Sequence, residues 1–135
     1  MIPKLKKLYI INDFSKNGDD TDISIKNVIN KINNKFDVEY IRYSTIDELK
    51  NKFSTYEKDE AIFFIRFYNN KNKELHTNHE IASMINSFEL PTFTTDSLFI
   101  SKGSVGGKLV LIENLGKNTG DLILKSLKNK NNHLL

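Results

Sequence analysis

Apolar and polar positions along this chain switch between two rhythms. Leu8 to Asn12 (LYIIN) is a short buried-type run that predicts a first strand. A polar stretch, NDFSKNGDDTD, follows and reads as a loop, rich in Gly, Asp, Ser and Asn. Ile25, Val28, Ile29, Ile32 and Phe36 then recur at helical spacing, with Lys and Asn on the outer face. Val38 to Tyr43 (VEYIRY) alternates and predicts a second strand. Thr45 and Glu48 have the spacing of a capping box, which opens a helix with Ile46, Leu49, Phe53 and Tyr56 inward.

Ala61 to Phe67 (AIFFIRF) is almost continuously apolar, as a strand covered on both faces should be. The tract YNNKNKEL leads to a second capping box, Thr77 with Glu80, and a helix with Ile81, Met84, Ile85 and Phe88 inward. Leu90 to Thr94 predicts a fourth strand, with Pro91 near its start where a missing donor is tolerated. DSLFISKG reads as a short helix stopped by Gly103. Leu109 to Ile112 predicts a fifth strand, and Leu115, Leu122, Ile123 and Leu127 a last amphipathic helix. The tail 128–135 is expected to fray.

Strands separated by helices at this spacing predict parallel βαβ units. The expected fold is α/β: a three-layer, doubly wound, mainly parallel five-stranded sheet of flavodoxin-like type, in one domain over residues 1–127. Ligands of such sheets bind beyond the carboxyl ends of the strands, at the switch point in strand order. That directs attention to three loops: Asp13 to Thr21, Tyr68 to Leu75, and Thr94 to Ser97.

Composition narrows the chemistry. The chain has no cysteine, which removes disulfides, thiolate metal sites and cysteine nucleophiles. Its net charge of +3 rests on 18 Lys and only 2 Arg, scattered rather than clustered, which argues against a nucleic-acid partner. No run approaches the roughly 20 apolar residues of a membrane span, so no direct membrane insertion by this segment is expected.

Known site patterns fail in turn. SKGSVGGKLV suggests a phosphate loop, but its glycines enclose the wrong spacing, Leu109 replaces the metal-binding hydroxyl, and a strand follows Lys108. The predicted role of Gly103, Gly106 and Gly107 is therefore to shape the backbone. A receiver domain needs an Asp ending the third strand and a Lys at the fifth, where this chain reads RFYNN and LVLIEN. A flavodoxin phosphate loop would not be as acidic as NDFSKNGDD. His76 and His79 straddle a helix start, with no third ligand in sequence, and no metal is expected. No nucleophile elbow or triad order is present. The expectation is a site with no catalytic residues and no cofactor.

One stretch carries a family resemblance. LPTFTTD, SLFISKG, SVGGKLVLI and LGKNTG, in that order over residues 90–120, resemble the closing part of type I periplasmic-binding-protein-like domains. The similarity is to the substrate-binding-protein group of ABC transporters, which also occurs as sensor regions of bacterial histidine kinases in two-component systems. YIINDFSKNG is likewise similar to that family's first strand and D-x-[ST]-x-x-G turn.

The resemblance implies the second lobe of a two-lobed, non-catalytic binding module that closes over a polar small molecule such as a sugar or amino acid. Residues 108–127 would pack on the missing first lobe or, without it, fold back or pair with a second copy. It also implies an extracytoplasmic place as part of a larger membrane-anchored or secreted protein; a standalone chain would be cytoplasmic. A small flavodoxin-like enzyme domain and a dimerisation domain are the alternatives.

Carried over by position, the ligand contacts would be Asp96 with neighbouring Thr95, then Asp13, Phe14 and Ser15, and one of Phe67, Tyr68 and Asn69. Several of these have a structural reading as well. Asp96 has the position of a helix N-cap, and Asp13 that of an Asx turn. Arg66, an unusual charge in an apolar strand, is either a paired structural cation or a holder of anionic groups.

Overall fold

The computed structural model describes residues 5–31 and 36–96, together with Phe99 and Leu124. Within them run β1 (Lys7–Ile11), α1 (Lys16–Lys31), β2 (Asp37–Ile41), α2 (Ile46–Lys52), β3 (Glu60–Phe64), α3 (Asn78–Ser87) and β4 (Thr92–Thr94). The expected fifth strand at Leu109–Ile112, the helix over 115–127 and the tail 128–135 lie outside the described residues, as does most of DSLFISKG.

The strands form one all-parallel sheet in the order β2-β1-β3-β4. The chain therefore winds one way from β1 to β2 and the other way from β3 to β4, leaving the switch point between β1 and β3. This order is compatible with a flavodoxin-like layout. Right-handed crossovers place α1 on one face and α2 and α3 on the other, and α2 and α3 touch.

Register explains where the core sits. Tyr9 pairs with Ile62, and Ile11 with both Ile41 and Phe64, so these side chains share one face. Against them pack Leu49 and Phe53 from the α2 segment and Ile81, Met84, Ile85 and Phe88 from the α3 segment. Phe53 is the hub, meeting the rings of Tyr9 and Phe88 edge-on at 4.9 and 5.2 Å.

The boundaries differ most from the sequence reading at the end of β3 and the start of α1. β3 ends at Phe64 rather than Phe67: Ile65 N–H still donates to Ile11 O, but β1 offers no further ladder and the chain leaves the sheet. Phe67 lies outside the strand but stays buried within the core, its ring also stacked on His76. Much of the expected polar loop is the first half of α1. Ser15 caps that helix, its hydroxyl accepting from Gly18 N–H at 3.0 Å. The expected inward face of this helix is only partly so. Ile25 and Ile29 are half-buried and Val28 is 56% exposed, while Gly18 and Asp22 are buried.

Candidate functional site

Two buried side chains follow β1. Asn12 and Asp13 are each 1% exposed, so every polar atom they carry needs a partner. Asn12 Nδ2 donates to Gly18 O at 2.8 Å, and Asn12 Oδ1 accepts from Asp13 N–H. Asp13 Oδ1 accepts from Ser15 N–H at 3.2 Å and from the Ser15 hydroxyl at 2.5 Å, closing an Asx turn. Its other oxygen accepts from Tyr68 N–H at 3.2 Å. One carboxylate thus shapes the loop after β1 and ties it to the loop after β3.

Arg42, which the sequence reading did not single out, holds this corner from just past the end of β2. Its Nε and Nη2 donate to Asp13 O at 3.2 and 3.1 Å, and Nη2 also pairs with Asp19 Oδ1 at 2.5 Å. Asp19 stands in the first turn of α1, where a carboxylate is favoured by the helix dipole. Gly18 lets the helix approach so closely. A Cβ there would sit 2.7 Å from Asp13 Oδ1 and closer still to Asp13 O.

The polar tract after β3 is a closed turn rather than an open loop. Asn69 bridges antiparallel to Leu75, and Asn70, 1% exposed, ties it from inside. Asn70 Oδ1 accepts from Asn72 and Glu74 N–H at 2.9 and 3.1 Å, and Nδ2 donates to Glu74 Oε2 at 2.7 Å. His76 N–H donates to Tyr68 O at 2.9 Å. Lys71 anchors the turn outward, its N–H donating to Ser44 O and its ammonium pairing with Glu48. After β4, Asp96 N–H donates to Thr94 Oγ1 at 3.1 Å.

These segments surround an opening of about 570 Å³ beyond the carboxyl ends of β1, β3 and β4. Asp13 and Ser15 line it from the first loop, Arg66, Tyr68 and Asn69 from the second, and Thr95 and Asp96 from the third. Asn17 and Ile65 complete the lining and were not anticipated. Their exposure depends on where α1 begins and where β3 stops, which local pattern did not reveal. The two phenylalanines among the expected contacts are elsewhere. Phe14 packs on Tyr43, ring centres 4.8 Å apart, and Phe67 is fully buried and stacked parallel to His76.

Charge in the opening is uneven. Arg66, a half-buried residue, makes neither a side-chain hydrogen bond nor an ion pair among the described residues. Burial pushes the Tyr68 hydroxyl above its usual range; the Asp96 charge adds to this, Arg66 opposes it and Asp13 adds a little. Tyr68 therefore remains a neutral donor at physiological pH. His76 Nδ1 lies 3.9 Å from Glu80, and its Nε2 is buried without a partner. Among the described residues no three side chains gather as metal ligands, and no helix is long and apolar enough to cross a membrane.

The chain matches no protein-family model, no curated protein and no solved structure. Fold and opening by themselves define an α/β domain with a parallel sheet and a polar recess at its switch point.

Proposed function

We propose that this chain is a non-catalytic lobe that binds a polar organic small molecule in the opening beyond β1, β3 and β4. The observation that carries this reading is convergence: residues of three separate βα loops, all at the carboxyl end of a parallel sheet, line one recess. That is where open α/β sheets take their ligands, and the volume lies within the range of small-molecule sites. The recess holds hydroxyls, amides, two carboxylates and a guanidinium, a lining suited to a polar ligand.

In the fuller form of the proposal, the sheet continues with a fifth strand at Leu109–Ile112 in a flavodoxin-like order. The recess is then one wall of a two-lobed binding protein, of the kind used for transport or for sensing upstream of a histidine kinase. Closure of the lobes would favour the liganded state and so report occupancy. A thermal-shift screen against amino acids, sugars and nucleosides tests the reading. A stabilising compound is expected, and Asp96→Ala should remove its effect; a shift that survives that change would place the ligand elsewhere.

A further inference from the structure

The two arginines of this chain have opposite circumstances. Arg42 is fully engaged, with Asp13 O, Asp19 and Asp22 within 2.5 to 3.9 Å of its guanidinium nitrogens. Arg66 lines the recess, half-buried, with no hydrogen bond or ion pair among the described residues. A guanidinium at a half-buried position that makes no direct hydrogen bond or ion pair recovers little of the hydration it gives up, even with carboxylates elsewhere on the rim. A bound anion would supply what is missing, and a guanidinium offers a planar fork that fits two oxygens at once.

We propose that the ligand is a small organic monocarboxylate carrying hydrogen-bond donors of its own, with its carboxylate seated on Arg66. This deepens the binding reading above and rests on it. The charge of the recess argues for a single negative group. Asp13 and Asp96 share the rim with Arg66, so a dianion such as phosphate meets two carboxylates against one guanidinium. Tyr68 stands in the same lining, its hydroxyl assigned here as a second donor to the anion. Asn17 and Asn69 offer acceptors on that rim, which call for hydroxyl or ammonium groups on the ligand.

The test uses the full chain and matched probes: 2-hydroxy acids, 2-amino acids, the primary amide of each, neutral sugars and inorganic phosphate. Calorimetric titration should find acids that bind at least about tenfold more tightly than their amides, since an ion pair with the guanidinium is replaced by a hydrogen bond to a neutral carbonyl. Arg66→Gln should erase that preference and Arg66→Lys should restore part of it. In the unmutated protein the Arg66 Nε–H resonance should move with the acid and not with the amide, a readout that needs no variant to fold. Amides or sugars binding as tightly as acids would overturn the carboxylate assignment while leaving a binding recess in place. Phosphate binding that depends on Arg66, with no response to carboxylates, would overturn it as well. No binding by any member of the panel would count against both readings.

Discussion

Alanine usually stabilises a helix relative to glycine by about 1 kcal/mol, yet position 18 should reverse that sign. Gly18 lies in α1 with its missing Cβ pointed at Asp13, whose carbonyl is fixed by Arg42 and whose carboxylate is fixed by Ser15 and Tyr68. Neither atom is the loose end of a flexible side chain. Gly18→Ala should therefore destabilise the protein by about 2 kcal/mol through overpacking, read as a lower urea midpoint with an unchanged slope. A variant as stable as the parent would show that the corner can yield. The same corner marks the limit of reading residues singly. The Asx turn of Asp13 was legible because its partners are two residues away. Its bond to Tyr68 N–H and the grip of Arg42 were not, because both join segments distant in sequence. Phe14 and Phe67 show the converse. Their types suited a platform, but Tyr43 and His76 supply rings that take them out of the recess.

Elements were legible wherever their ends are set locally. Both capping boxes appear with reciprocal bonds: Thr45 with Glu48, and Thr77 with Glu80, where Thr77 N–H donates to Glu80 Oε2 at 2.7 Å. The start of α1 was missed because its first turn is polar and carries no hydrophobic rhythm; what holds it is the Ser15 cap and the close approach of Gly18. β3 was read too long because apolar residues continue past the last rung of the ladder. The capping boxes also carry a pH dependence. The Thr77 N–H and then its hydroxyl hold the Glu80 carboxyl below its usual range, and Lys71 and then Thr45 do the same for Glu48. A carboxyl lowered in the folded state stabilises it above the unfolded pKa, about 4.3, and that contribution is lost as pH falls through the lower folded value. Glu80→Gln should therefore weaken the protein at neutral pH and lose less on acidification. Urea unfolding of both proteins at pH 7 and at about pH 3 measures the difference. Equal losses on acidification would remove Glu80 from the account.

At the scale of the whole molecule, the order β2-β1-β3-β4 gathers local elements around one recess. Because all strands run the same way, their following loops gather at one end. The reversal between β1 and β3 opens room there for a ligand. The sequence placed those loops correctly as a group because strand, helix and direction follow from periodicity and crossover handedness. Which side chains face the recess depended on strand ends that periodicity does not mark, as Asn17 and Ile65 show. The central claim is that this carboxyl-end recess is a ligand site, and backbone amide NMR during titration with a stabilising compound tests it most directly. The account predicts shifts concentrated at Asp13 to Asn17, Ile65 to Asn69 and Thr95 to Asp96. Shifts centred on the outer face of α3 or at the amino ends of the strands, with those three segments unmoved, would contradict it.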